Sequence, residues 1–294
     1  MKKFLTLFTF LILSLAGIEA SGADYKTLFA YPSAPDTCST TESRFNYCTL
    51  HFWDNFDVTK QLTPATDSLL VTAMSDFISF MKQANGNVAL GAIRSLMFKA
   101  QANKPNFMKL MDAASLLLYL NNPGVKDDVY LTFLKCVLDA SWVPGKDKAL
   151  YKDLYSRIDA SRLGAEMPNI DVSDGSGKKK LYDLPADSAQ MVLLFFTGDD
   201  ADSPLERTRL SVDVGVNESI KAGYMKVINI YTGKNTRQFL AEASQYPNWT
   251  LVASPEVYKQ IDVRGVPSLF ILDNKHVIQT KNVTVDFIKR AFYN

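Results

Sequence analysis

The chain has 294 residues, 47% of them hydrophobic, and a formal net charge of +1. That is enough apolar side chain for a sizeable core in one large or two ordinary domains. The Lys and Arg residues are scattered, which excludes the basic footprint of a nucleic-acid binder and a polybasic membrane patch.

Residues 1–23 have the pattern of an export signal. Lys2 and Lys3 form a basic start, Phe4 to Ala16 an apolar core, and Ala20 and Ala23 two cleavage options. The apolar core is short for a bilayer span, which counts against the alternative of an uncleaved anchor. No cysteine follows Leu15-Ala16-Gly17, so no lipid attachment point is visible. The mature protein is expected to be soluble in an exported, oxidising space, the periplasm or cell envelope.

Residues 24–63 are mixed, with aromatics gathered in Phe52-Trp53-Asp54-Asn55-Phe56. Cys38 and Cys48 fall here and could pair, closing a short loop worth roughly 3 kcal/mol. The third cysteine, Cys136, sits in a helical pattern and reads as a small buried hydrophobe. His51 is one of two histidines, and no set of His, Cys and carboxylates has metal-ligand spacing. No metal and no cofactor is expected.

From Thr63 to about Gly164 the apolar residues recur at helical spacing. Thr63-Pro64 opens a first helix with Leu70, Met74, Phe77, Ile78 and Met81 on one face. Further helices are expected over 88–102, 105–120, 128–142 and 146–162, divided by Asn, Pro and Gly clusters. Short connections imply antiparallel neighbours, an irregular bundle rather than a repeat array.

After Met167-Pro168 the period changes. Asn169–Val172 and Lys178–Leu184 predict a β-hairpin around Asp174-Gly175-Ser176-Gly177, with the lysines at 178–180 on a solvated edge. Met191-Val-Leu-Leu-Phe-Phe-Thr197 lacks alternation and predicts a strand covered on both faces. It runs into a corner that opens a helix, with Ser203 as N-cap, Pro204 at N1 and Glu206 completing a capping box. Strands at 225–231, 249–252 and 269–272, a return strand at 276–280 and helices at 236–246, 255–261 and 283–292 complete a mixed sheet with helices on both faces.

That element order, with Tyr258-Lys-Gln-Ile-Asp-Val-Arg-Gly-Val-Pro-Ser-Leu-Phe-Ile-Leu-Asp273, resembles the thioredoxin-like fold, in particular the TlpA branch of exported thiol-disulfide proteins. The resemblance covers residues 165–294. It implies a cis Pro267 facing the catalytic corner, and peptide backbone pairing beside it at Gly265, Val266 and Pro267. The segment containing Phe52-Trp53-Asp54-Asn55-Phe56-Asp57 resembles an uncharacterised helical domain that precedes TlpA-like domains in bacterial envelope proteins. The expected organisation is therefore a signal at 1–23, a helical domain at 24–164 and an α/β thioredoxin-like domain at 165–294.

Redox-active members of that family carry Cys-x-x-Cys at the corner. Here Ala201 and Pro204 occupy those positions, and 197–208 contains no sulfur. Disulfide exchange needs an attacking thiolate and a second thiol to resolve the adduct, and neither residue supplies one. Asp199, Asp200, Asp202 and Glu206 instead crowd the corner, as carboxylates do at a helix N-terminus; their spacing matches no Ca²⁺ loop. No catalytic residue is expected there. The chain reads as a redox-inactive module for an envelope protein or peptide; the alternative is an oxidoreductase that works through Cys38 and Cys48.

Overall fold

A computed structural model describes residues 26–120, 127–184 and 189–293. The expected signal at 1–23 lies outside the described residues.

The first half is helical: α1 Thr41–His51, α2 Pro64–Met81, α3 Gly86–Ala100, α4 Lys104–Ala114, α5 Asp127–Asp139 and α6 Gly145–Ala160. Helix α1 falls in the stretch the sequence leaves mixed. Thr40 starts it, its hydroxyl accepting from the Ser43 amide while Ser43 Oγ accepts from the Thr40 amide. The helix expected over 105–120 ends as an α-helix at Ala114 and continues as a π-helical segment, Ser115–Leu120. One core cluster gathers this half's side chains, with Phe52, Met74, Phe77, Ile93, Met97, Phe107, Phe133 and Leu134 fully buried. Trp53, Phe56 and Phe77 pack edge to face within it.

The second half is a seven-stranded sheet. Its strands are β1 Asp171–Ser173, β2 Lys178–Lys180, β3 Met191–Thr197, β4 Met225–Tyr231, β5 Trp249–Ala253, β6 Ser268–Asp273 and β7 Ile278–Val283, in the spatial order β2-β1-β5-β4-β3-β6-β7. Strands β3, β4 and β5 run parallel; β6 and β7 pair antiparallel to their neighbours. Helices α7 Asp202–Ser211, α8 Val214–Lys221, α9 Thr236–Ala241 and α10 Val285–Tyr293 cover the sheet. The unbroken apolar run of β3 has its explanation here. Val192, Leu194 and Phe196 enter one buried cluster with Ile228, Ile230 and Phe270, while Leu193 and Phe195 enter another with Leu210, Val216 and Ile288.

The helix expected after the corner is two helices. Asp213 interrupts it and starts α8, its carboxylate accepting from the Val216 amide. The segment expected as a helix at 255–261 is a 3-10 turn, Val257–Lys259.

The two halves meet on buried charge. Asp127 at the start of α5, Asp262 and Arg264 before β6, and Lys281 on β7 form a closed quartet. Arg264 Nη2 is 2.6 Å from Asp127 Oδ1 and its Nε is 2.9 Å from Asp262 Oδ2. Lys281 Nζ is 2.9 Å from Asp127 Oδ2 and 3.2 Å from Asp262 Oδ2. None of the four side chains is more than 4% exposed. The helical half supplies the remaining partners. Tyr119 donates to Asp262 Oδ1 at 3.0 Å, Lys281 donates to the Ser161 carbonyl at 3.0 Å, and Ser161 Oγ accepts from the Asp262 amide at 3.0 Å. The Arg264 guanidinium also lies 4.8 Å from the centre of the Tyr119 ring. Burial, and then the Asp262 carboxylate, push the Tyr119 hydroxyl far above its ordinary pKa.

Removing one member strands a buried charge. Asp262→Ala leaves Arg264 and Lys281 sharing one carboxylate, and should cost about 3–5 kcal/mol in urea unfolding. A loss under about 1 kcal/mol would mean that the quartet does not hold the halves together.

Candidate functional site

The corner after β3 is held by its own side chains. Gly198 donates its amide to Ser203 Oγ at 2.9 Å, and Ser203 Oγ donates to Asp200 Oδ2 at 2.5 Å. Asp200 Oδ1 accepts from the Asp202 amide at 3.0 Å and from the Ser203 amide at 2.8 Å. The helix start therefore differs from the expected one. Helix α7 begins at Asp202, Asp200 satisfies the first amides, and Pro204 stands two residues inside the helix. Ser203 is buried beneath the turn rather than capping it. Glu206 does not close a capping box; it pairs with Arg209 at 2.5 Å.

Asp199 ties the corner to the loop after β4. It accepts from the Tyr231 hydroxyl, from the Lys234 amide at 2.9 Å and from Asn235 Nδ2 at 3.1 Å. Gly233 allows this approach, since a Cβ there would meet Asp199 Oδ2 at 2.6 Å. The Tyr231 hydroxyl, followed by the Lys234 amide, holds the Asp199 carboxyl below its ordinary pKa. Thr232 completes the clasp, its amide and hydroxyl both donating to the Thr197 carbonyl at 2.8 and 3.1 Å. Beneath, Asn229 is fully buried and donates to the Phe195 carbonyl at 2.7 Å and to Thr197 Oγ1 at 2.9 Å. Asp199 and Asp200 thus spend their oxygens on the fold.

The loop Gly265–Val266–Pro267 faces this corner. The Val266–Pro267 bond is cis. A Cβ on Gly198 would meet Val266 Cγ2 at 2.8 Å, so glycine is required where corner and loop touch. Gly265 has φ +144, a conformation side chains rarely adopt. Among the described residues, the backbone N–H and C=O groups of Gly265 and Val266 have no hydrogen-bond partner. Ala201 and Pro204 are exposed, and Pro204 lines the cleft beside the corner. The Tyr258 hydroxyl stands nearby, 3.1 Å from Thr232 Oγ1. On the other side of the corner a cleft of about 160 Å³ is lined by Asp199, Asp200, Arg207, Tyr231, Phe239 and Glu242. Arg207 is buried there, 3.0 Å from Glu242 and over the face of Phe239.

The cysteine thiols lie in the other half. Cys38 and Cys48 stand as free thiols, so the pairing left open by the sequence is not formed in this structure. Cys48 is buried with its Sγ 3.8 Å from the Pro32 carbonyl, and burial raises its pKa. Cys136 is pushed up to about 11, chiefly by burial. Both shifts disfavour the thiolate that exchange chemistry needs.

Against known proteins, residues 16–161 match the model of a domain of unknown function, DUF5106. A thioredoxin-like protein from Bacteroides caccae superposes with a TM-score of 0.79 at 19% identity, over 91% of this chain and 99% of that one. The fold is thioredoxin-like. Shorter matches include the C-terminal domain of an uncharacterised Bacteroides fragilis protein, at 22% identity, TM-score 0.40, and 46% and 99% coverage. Another is the thioredoxin domain of a thiol-disulfide oxidoreductase from Bacteroides vulgatus, at 15% identity, TM-score 0.36, and 44% and 97% coverage. No functionally curated protein matches the sequence.

Sequence reasoning places Ala201, Pro204, Gly265, Val266 and Pro267, and the structure brings them to one end of the sheet. It puts Asp199 and Asp200 at the helix start, where Asp200 accepts from the first amides, but misses Tyr231 and Asn229, which also shape that end.

Two outcomes follow from this geometry. Asp200→Ala removes the acceptor for two helix amides and should destabilise the chain by about 1 kcal/mol in urea unfolding; no change would reassign the cap. Asp199 has a folded pKa below its unfolded value near about 3.9, so its stabilisation is complete above that pH and lost as pH falls through the folded value. The stability gap between wild type and Asp199→Asn should therefore narrow as pH drops below about 4. A gap that is constant with pH would contradict the assignment.

Proposed function

We propose that this chain is an exported, redox-inactive protein- or peptide-binding module of the bacterial cell envelope. The observation that carries this reading is the free backbone edge at Gly265 and Val266, set against a sulfur-free corner. An extended peptide laid along that edge would exchange N–H and C=O bonds with both residues, as an added strand does. Across from it the corner meets the loop at Gly198, with the Tyr258 hydroxyl held on Thr232.

Chemistry at the corner has little to work with. A nucleophile needs an activated thiol, hydroxyl or amine. Ser203 is buried and spent on Gly198 and Asp200, and the carboxylates of Asp199 and Asp200 are bound to amides and hydroxyls. The apolar start of the sequence and the absence of later spanning helices among the described residues support export to an aqueous compartment.

Two assays on the full chain test this. On an array of random dodecapeptides, wild type should retain a subset, and Gly198→Val, whose side chain collides with Val266, should bind that subset at least ten-fold more weakly. In the reduction of insulin by dithiothreitol, wild type should add nothing to the background rate, while Ala201→Cys/Pro204→Cys should accelerate it. Equal retention by wild type and Gly198→Val would overturn the binding reading. Wild-type acceleration lost in Cys48→Ser would replace it with the oxidoreductase alternative.

A further inference from the structure

Arg264 is clamped at both ends, while the backbone of Gly265 and Val266 after it has no hydrogen bond among the described residues. Its backbone N–H donates to Asn282 Oδ1 on β7 at 3.1 Å. Its guanidinium reaches Asp127 of α5 at 2.6 Å and Asp262 at 2.9 Å, and lies over Tyr119. Its Nη1 also donates to the Leu118 carbonyl at 3.4 Å. The sheet takes up the chain again only at Ser268, opposite Phe196. Between these points Gly265 has open space where a side chain would stand, while the partly buried Val266 side chain packs on the sheet core and lies against Gly198. The root of the loop is thus fixed by a side chain anchored in the helical half.

We infer that the helical half positions the binding edge: Asp127, acting through Arg264, orients Gly265 and Val266 so that their free N–H and C=O groups face a ligand. This rests on the reading of that edge as a binding site. It adds a task for the helical half, and makes Arg264 a positioning residue rather than a ligand contact. Arginine suits the role because its planar fork engages Asp127 and Asp262 in fixed directions, which a lysine ammonium does not.

Lys281 supplies the control. It belongs to the same quartet, touching Asp127 at 2.9 Å and Asp262 at 3.2 Å, but it sits on β7 and not at the root of the loop. Two full-length double variants remove one acid and one base each, so neither strands a buried charge. Arg264→Gln/Asp127→Asn leaves Asp262 with Lys281; Lys281→Gln/Asp262→Asn leaves Asp127 with Arg264.

The readout is NMR without ligand. In the Arg264 variant, amide order parameters of Gly265 and Val266 should fall from about 0.85 to below about 0.6. The cross-peak between the Gly198 Hα and Val266 methyl protons should disappear. In the Lys281 variant both signals should match wild type. A common fall in both variants, or no fall in either, would overturn the inference. If the Arg264 double variant does not fold, Arg264→Lys keeps the charge and loses the fork; it should at least halve the cross-peak, and an undiminished cross-peak would equally overturn the inference. Because no peptide is present, a failure to bind peptides leaves these outcomes unchanged, and the two claims fail separately.

Discussion

Four charges out of water hold this molecule in its arrangement. Asp127, Asp262, Arg264 and Lys281 are drawn from a helix of the first half and from three points around β6 and β7 of the second. Taking such groups from water costs several kcal/mol for each ion, and only near-complete pairing offsets it. Here both oxygens of each carboxylate have a partner, with Tyr119 supplying the fourth. Apolar side chains could join two halves as tightly; they could not dictate one relative orientation as a fork and two carboxylates do. That orientation determines where the loop at Gly265–Pro267 stands against the corner at Gly198.

The corner follows the same economy. In a sulfur-exchanging relative this turn presents thiols, as the family resemblance implies. In this chain the turn presents no thiol, and the carboxylates of Asp199 and Asp200 are engaged by the fold. Asp200 binds the first amides of α7, and Asp199 binds Tyr231 and the Lys234 amide. Charge that looks on paper like a cation site is the means by which a tight turn satisfies its buried donors. What the corner offers is shape: a glycine at the point of contact and, opposite it, a stretch of backbone without hydrogen bonds among the described residues.

Much of this was legible in the residues. The apolar run 191–197 announces a strand buried on both faces because nothing else explains seven such residues without alternation. The helical stripes of 64–160 locate most of the bundle, and the segment 258–273 carries the resemblance that names the fold. The misses have local causes. Helix α1 hides because its cap pairs Thr40 with Ser43, where a capping box is normally recognised by Glu or Gln. The corner's helix begins before Ser203 because Asp200, two residues upstream of Asp202, reaches the amides first. The quartet has no short-range signature, since residue 127 meets residues 262, 264 and 281 only in three dimensions. One trace was available: Asp262 and Arg264 alternate with Ile261 and Val263, an apolar setting in which a charge must have a partner.

The claim that buried charge makes one cooperative unit of both halves is tested most directly by thermal unfolding of the 5-fluorotryptophan-labelled chain. Trp53 and Trp142 report the helical half and Trp249 the sheet, so ¹⁹F NMR follows each half in one sample. The account predicts that all three resonances lose native intensity at a single midpoint. Loss of the Trp249 signal at a temperature where Trp53 and Trp142 remain fully native, or the reverse, would contradict it.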